Sequence, residues 1–275
     1  MEKIKLICSD VDGTLIDSNG RISEADRAAL HHAAVDLNIP FAIVSGRFRG
    51  GLDCILKQLD FDAAISCFNG LYVEMGGKVV RDAITDKAIL GDVVPLIREY
   101  GCTPLLFSLD DWVMEDKNCW FDNQVKVCGF EGKTMRMEKA LSSECDMNFY
   151  KILAKNTDHE KLEQLKRRFL EIGFSKLHAV FSSPNILEFL PMGTTKADTV
   201  DILAKYLGIS TENVMAFGDY DNDIGMLQRA GFGVCMANGT DSAKAVSDYV
   251  TASNEDFGIS KALEKLVFST DSRCS

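Results

Sequence analysis

Short, largely apolar runs separated by stretches of helical periodicity constrain this chain more tightly than any other feature. Ile4 to Cys8, Phe41 to Val44, Ala63 to Ser66 and Val214 to Phe217 are four such runs. Each is too short for a helix and has the composition of a strand buried on both faces. Between the first two, Ser23 is placed to cap a helix. Ile22, Ala25, Ala29, Leu30, Ala33 and Leu37 then recur at helical spacing until Pro40 ends it. Leu52, Ile55, Leu56 and Leu59 mark a second helix. Strands alternating with amphipathic helices predict an α/β fold, a parallel sheet covered on both sides.

The alternation breaks after the third strand. Leu71 to Glu74 and Lys78 to Arg81 flank Gly76-Gly77, a hairpin signature. From Asp82 to Pro184 the chain mixes a helix around Asp86 to Tyr100, strands near Leu105, Trp112, Phe149 and Leu177, and a charged helix from Asp158 to Ile172. The first pattern then resumes: strand Ile186 to Leu190, helix Lys196 to Leu207, strand Val214 to Phe217, helix Asn222 to Arg229 and strand Gly233 to Met236. The expected organisation is one α/β core, residues 1–82 and 185–275, interrupted by an α+β domain at 83–184. Two sequential domains divided near Asp82 is the competing arrangement. A chain of 275 residues has room for about two domains at ~150 residues each.

The net charge of −11 argues against nonspecific binding to nucleic acid or to an anionic membrane. It is compatible with a phosphorylated ligand, because a bound cation reverses the local field. Nine cysteines at irregular spacings include no Cys-x-x-Cys pair, which argues against a zinc site. Cys8, Cys67 and Cys235 sit in or beside apolar runs, as small hydrophobes do. An odd set of thiols suits a reducing compartment. The few residues before the first strand are too short for a signal-peptide core or a membrane span. The expected location is the cytoplasm; oligomeric state is left open.

Four segments carry the chemistry. Asp10-Val11-Asp12-Gly13 follows the first strand, Ser45-Gly46-Arg47 follows Phe41 to Val44, and Gly218-Asp219-Tyr220-Asp221-Asn222-Asp223 follows Val214 to Phe217. In a parallel sheet all strand carboxyl ends lie on one edge, so these distant segments converge there. The fourth, Gly193-Thr194-Thr195-Lys196, opens a helix, whose free N–H groups suit an anion, and Lys196 adds a charge. Asp10 and Asp12, two apart on an extended segment, point to one side. An EF-hand is excluded for the second acidic run. That loop needs glycine at its sixth position and glutamate at its twelfth, where Ile224 and Ala230 stand.

Gathering Asp10, Asp12, Asp219 and Asp223 without a cation costs ~4 kcal/mol per pair at about 4 Å and an effective dielectric near 20. An all-oxygen donor set favours Mg²⁺ over zinc or copper. His31, His32, His159 and His178 all fall outside these motifs and read as surface or core residues. Such a site suits phosphoryl transfer, with metal and lysine on the phosphate oxygens and a carboxylate attacking phosphorus.

With these four motifs in order, the chain resembles the haloacid dehalogenase (HAD) superfamily, and in finer pattern the Cof-type phosphatases with a large, subclass IIB cap. Phe68-Asn69-Gly70, Gly225-Met226-Leu227, Met236-Ala237-Asn238 and Ser253-Asn254-Glu255-Asp256-Phe257-Gly258 add to a likeness that spans nearly the whole core. The resemblance implies a Rossmann-like parallel sheet core interrupted by an α+β cap, and it implies roles by position. Asp10 is then the nucleophile, forming an aspartyl-phosphate, and Asp12 protonates the leaving alcohol and activates the hydrolytic water. Asp10, the Asp12 main-chain carbonyl and Asp219 ligate Mg²⁺, with Asp223 near the metal. Ser45, Gly46 and Lys196 hold the phosphate and Asn222 supports it. Ala197, where many relatives have glycine, departs from the pattern without touching these side chains. So does Met236-Ala237-Asn238-Gly239, where many read Met-Gly-Asn-Ala.

The expected function is Mg²⁺-dependent hydrolysis of a small phosphorylated metabolite, a sugar phosphate. A phosphomutase similar to the phosphomannomutases is the alternative, and a phospho-accepting signalling module a third. In the insertion, Trp112, Trp120 and Phe121 suit core packing better than substrate contact. Arg47 is as well placed to meet substrate as to pair with a surface acid.

Overall fold

The computed structural model describes residues 4–269. The described residues form two compact units, one of residues 4–47, 52–82 and 195–269, the other of residues 48–51 and 83–194.

The first unit is built on an eight-stranded sheet in the order Tyr249–Val250, Phe232–Cys235, Val214–Gly218, Leu6–Ser9, Phe41–Val44, Ala64–Cys67, Tyr72–Met75, Lys78–Asp82. The first six strands run parallel, and the last two turn back as an antiparallel hairpin. Gly76 and Gly77 both take positive φ at its tip, as a tight hairpin turn of this hand requires. One sheet face buries Leu6, Cys8, Ala42 and Val44 against Val200, Leu203 and Ala204 of helix Lys196–Leu207. Ile7 and Ile43, which alternate with them, are equally buried, so both faces are covered and the strands carry no polar alternation. Ser23 caps helix Glu24–His31 by accepting from Asp26 N–H at 3.0 Å. The buried cysteines Cys8, Cys67 and Cys235 pack as apolar residues, and burial pushes the Cys8 thiol up to about 12.

The second unit has a six-stranded sheet in the order Leu177–Ser183, Ile186–Pro191, Lys151–Lys155, Thr103–Phe107, Trp112–Met114, Lys133–Thr134. Helices Lys87–Glu99 and His159–Ile172 cover one face, with Leu90, Val93, Leu162, Leu165 and Phe169 against Ile152, Ala154, Leu187 and Phe189. Trp112 and Phe121 are fully buried, with ring centroids 4.7 Å apart.

One boundary differs from expectation. Strand Ile186–Pro191 belongs to the second sheet, and the core resumes at Thr195 rather than at residue 185. It pairs antiparallel with Leu177–Ser183 across a turn of only Pro184 and Asn185. Such a local hairpin closes a very short loop. Glu188 on one face and Leu187 and Phe189 on the other give it the alternation of a half-covered strand. Lys196 therefore arrives on a helix that no core strand precedes.

Candidate active site

Three of the chemistry-bearing segments leave the carboxyl ends of Leu6–Ser9, Phe41–Val44 and Val214–Gly218. Leu6–Ser9 lies between the other two, where the strand order reverses, the position at which parallel sheets bind ligands. Asp10, Asp219 and Asp223 come together there, each with an oxygen within 4.8 Å of the others'. Lys196 is 2% exposed, and its Nζ donates to Asp10 Oδ1 and to Asp223 Oδ1, both at 2.6 Å. Asp198 closes the start of its helix by accepting from Thr195 N–H at 2.7 Å.

Backbone without side chains makes this approach possible. A Cβ on Gly13 would stand 2.4 Å from Asp219 Oδ2, and one on Gly218 would stand 2.6 Å from Asp223 Cβ. Gly13 also has φ +81°, a conformation glycine adopts at little cost. Thr14 Oγ1 donates to Asp219 Oδ1 at 2.9 Å. Asp223 uses both oxygens within the fold, Oδ1 on Lys196 and Oδ2 on the N–H groups of Asp219 and Tyr220 at 3.0 Å each.

The electrostatics are unbalanced. Three carboxylates share one ammonium, so the ionised cluster carries a formal charge of −2. Burial, with Asp223 nearby, pushes Asp10 up to about 7 although Lys196 pulls the other way. Burial likewise pushes Asp219 up to about 6, against the hydrogen bond from Thr14. Burial disfavours the Lys196 charge, but the fields of Asp10 and Asp223 outweigh it and hold the ammonium above its ordinary range. A divalent cation matches this site in charge and in its oxygen-only donors, and Mg²⁺ is the hard cation that one or two carboxylates hold. The donor set thus fits the expected metal.

Asp12 stands apart from this cluster. Its carboxylate is half exposed and pairs in a fork with Arg47, Nε to Oδ2 at 3.0 Å and Nη2 to Oδ1 at 2.5 Å. Arg47 thus pairs with the second acid of the motif. Ser45 is buried, and its Oγ accepts from Arg47 N–H at 3.1 Å. Gly46 follows it against Asn69, whose Oδ1 would lie 3.2 Å from a Gly46 Cβ. Asn222 is exposed on the 3₁₀ turn Asp221–Asp223.

Phe68-Asn69-Gly70 counted toward the family likeness in the sequence but carried no assigned role there. Phe68 and Asn69 both have positive φ, at 53° and 58°, and Asn69 N–H donates to Ser45 O at 2.9 Å. Asn69 Oδ1 is buried with no partner among the described residues. Consecutive left-handed residues that are not glycine are strained and mark functional sites. The dipeptide Asn69-Gly70 was the available signal. All four histidines lie elsewhere: His31 pairs with Asp60, His32 with Asp36, and His159 with Glu163, while burial holds His178 below its ordinary range.

A profile of haloacid dehalogenase-like hydrolases matches residues 7–263. A 5-amino-6-(5-phospho-D-ribitylamino)uracil phosphatase of Bacillus subtilis (strain 168) is 29% identical over 286 residues, covering 96% of this chain and 98% of that protein. The chloroplastic endoribonuclease YBEY of Arabidopsis thaliana is 29% identical over 282 residues, 97% of this chain but 47% of that protein. The chain thus spans about half the length of that relative. Among solved structures, the HAD subclass IIB sugar phosphatase BT4131 superposes with a TM-score of 0.79 at 23% identity, over 95% of this chain and 98% of that one.

Proposed function

This chain belongs to the haloacid dehalogenase-like hydrolases, and from that membership and the geometry above we propose that it is a Mg²⁺-dependent phosphatase of a small phosphorylated metabolite, a sugar phosphate. One observation carries the reading. A buried carboxylate, Asp10, is held by a buried lysine inside an acidic cluster, with a second, reachable acid two residues away. The B. subtilis relative's name specifies a phosphoribityl compound, and BT4131 is a sugar phosphatase, which favours a polyhydroxylated alcohol as the leaving group. The ribonuclease name belongs to a protein more than half of which has no counterpart in this chain.

Asp10 attacks phosphorus through a carboxylate oxygen. The bond from phosphorus to the leaving oxygen breaks, and Asp12, which enters this step protonated and so outside the fork its ionised form makes with Arg47, gives that oxygen its proton. Asp12, now ionised, takes a proton from water. The water oxygen attacks the aspartyl-phosphate, the bond between Asp10 and phosphorus breaks, and inorganic phosphate leaves. Lys196 has three N–H donors; two go to Asp10 and Asp223, and the third serves a phosphate oxygen. The Ser45 hydroxyl accepts from Arg47 N–H and so keeps its own hydrogen for the phosphate. Gly46 brings main chain beside it, and Asn222 supports the loop from outside. Mg²⁺, held by Asp10, Asp219 and the Asp12 main-chain carbonyl with Asp223 close by, supplies positive charge to the phosphate oxygens when bound. Eight thiols are free among the described residues, which suits work in the cytoplasm.

The test is phosphate release from a panel of phosphorylated metabolites, with Mg²⁺ and with a chelator. Release should require the metal and vanish in Asp10→Asn. Wild-type turnover in Asp10→Asn would remove the nucleophile from this reading. Conversion of a hexose 1-phosphate into its isomer without free phosphate would make the protein a mutase. A long-lived aspartyl-phosphate without turnover would make it a signalling module.

A further inference from the structure

The turn that carries Asp12 is gripped at two points by asparagines from the far end of the chain. Val11 O accepts from Thr14, Leu15 and Ile16 N–H at 3.4, 3.0 and 3.1 Å, which folds residues 11–16 into a tight loop. Asn238 Nδ2 donates to Gly13 O at 2.8 Å, one residue after Asp12. Asn254 Nδ2 donates to Ile16 O at 2.8 Å, where the loop ends. The two asparagines are themselves joined, Asn254 N–H donating to Asn238 Oδ1 at 3.1 Å. Glu255 extends the grip by accepting from Ser18 N–H at 2.7 Å.

We propose that Asn238 and Asn254 are positioning residues, which aim Asp12 at the leaving oxygen by fixing the main chain on which it stands. The inference rests on the reading of Asp12 as the leaving-group acid. The Asp12 side chain is 58% exposed, so close packing does not set its direction. Its direction is set by its own main chain and, in the ionised form, by the Arg47 fork. A cleft of about 410 Å³ runs along the grip and is lined by Asp12, Gly13, Ile16, Arg47, Asn254 and Glu255. Proton transfer needs the acid within hydrogen-bond reach of the departing oxygen, so a small displacement of this loop is costly. Asp10 is fixed independently, its N–H on Phe217 O at 3.0 Å and its carboxylate on Lys196. Loosening the asparagines therefore penalises protonation of the leaving group more than the attack on phosphorus, which at saturating Mg²⁺ depends on this loop only through the Asp12 carbonyl.

That distinction can be read from leaving-group dependence. Asn254→Ala removes the donor to Ile16 and keeps the main-chain link to Asn238. Asn238→Asp removes the donor to Gly13 and keeps the acceptor for Asn254. Asp12→Asn is the reference. kcat/KM is measured for a series from nitrophenyl phosphate, whose leaving group needs no proton, to alkyl phosphates, whose leaving group does. Each asparagine variant should lose about tenfold or more on alkyl phosphates and less than about threefold on nitrophenyl phosphate, in the same sense as Asp12→Asn. An equal loss at both ends of the series in both variants would reduce the asparagines to structural props and overturn the proposal. A wild-type slope in both variants beside a steep slope in Asp12→Asn would overturn it while leaving the acid role standing. A wild-type slope in Asp12→Asn would remove the acid role and the inference together.

Discussion

Lys196 Nζ lies 2.6 Å from Asp10 Oδ1, although 186 residues of chain separate the two. Both are buried, and the same ammonium also holds Asp223. Removing one partner of a buried ion pair leaves an uncompensated charge and costs about 3–5 kcal/mol. Lys196→Met should therefore lose turnover by a factor of about 100 or more and unfold at lower urea in the presence of a chelator. Activity assays and urea titrations of the same samples check this; undiminished turnover would separate Lys196 from the chemistry.

Arg47 and Asp12 make the opposite case. Their side chains are 34% and 58% exposed, and pairs this open contribute about 0–1 kcal/mol to stability. Arg47→Ala should leave the unfolding midpoint nearly unchanged and still lower kcat about tenfold, because the ionised Asp12 that activates water loses the fork that orients it. Steady-state kinetics beside thermal melts would show the split. A large drop in melting temperature with intact kcat would refute it.

Stability of the metal-free protein should fall as pH rises. Asp10 and Asp219 sit at about 7 and about 6 when folded, against an ordinary 3.8. Between about pH 4 and pH 7 the folded protein keeps protons that the unfolded chain releases, so each step upward in pH favours unfolding. A divalent cation needs the ionised carboxylates and should stabilise more at about pH 8 than at about pH 5. Melts with chelator and with Mg²⁺ at several pH values measure both trends. A metal-free melting temperature that climbs across this window would contradict the assignment.

Gly13→Ala should weaken metal binding more than it destabilises the fold. The added Cβ would occupy the space of Asp219 Oδ2 and would sit at positive φ. Isothermal titration with Mg²⁺ should show affinity falling about tenfold or more, with circular dichroism close to wild type. Wild-type affinity would mean that Asp219 is free to move aside.

Much of this molecule could be read before any coordinates. Strand Phe41–Val44 and helix Lys196–Leu207 fall where expected, because Pro40 marks one start and a capping residue, Thr195, marks the other. Asp10, Asp219 and Asp223 meet at the sheet edge where strand ends converge, whereas Asp12, expected among them, stands apart on Arg47. Helix Cys119–Cys128 was missed, and its pattern explains why. Val127 is 71% exposed while Gln124 is buried, bonded to Lys155 at 2.7 Å, so polarity along it runs against burial. Strand Ile186–Pro191 was recognised but assigned to the wrong sheet, since a short apolar run does not name its neighbours. The grip of Asn238 and Asn254 left no trace in periodicity, because an amide bonded to a distant main-chain carbonyl imposes no repeat.

The place of Val214–Gly218 in the sheet carries a consequence for biosynthesis. It lies directly beside Leu6–Ser9, so the first strand made gains Phe41–Val44 early on one side and waits for one of the last strands on the other. Residues 83–194 form most of the second unit as one continuous stretch, and they leave the ribosome before Thr195 and all that follows it. A nascent chain can complete that unit while its amino-terminal acids still lack Lys196 and Asp219. The acidic cluster thus closes late in translation, and a chain cut short before residue 214 would carry Asp10 without Asp219 or Asp223 beside it.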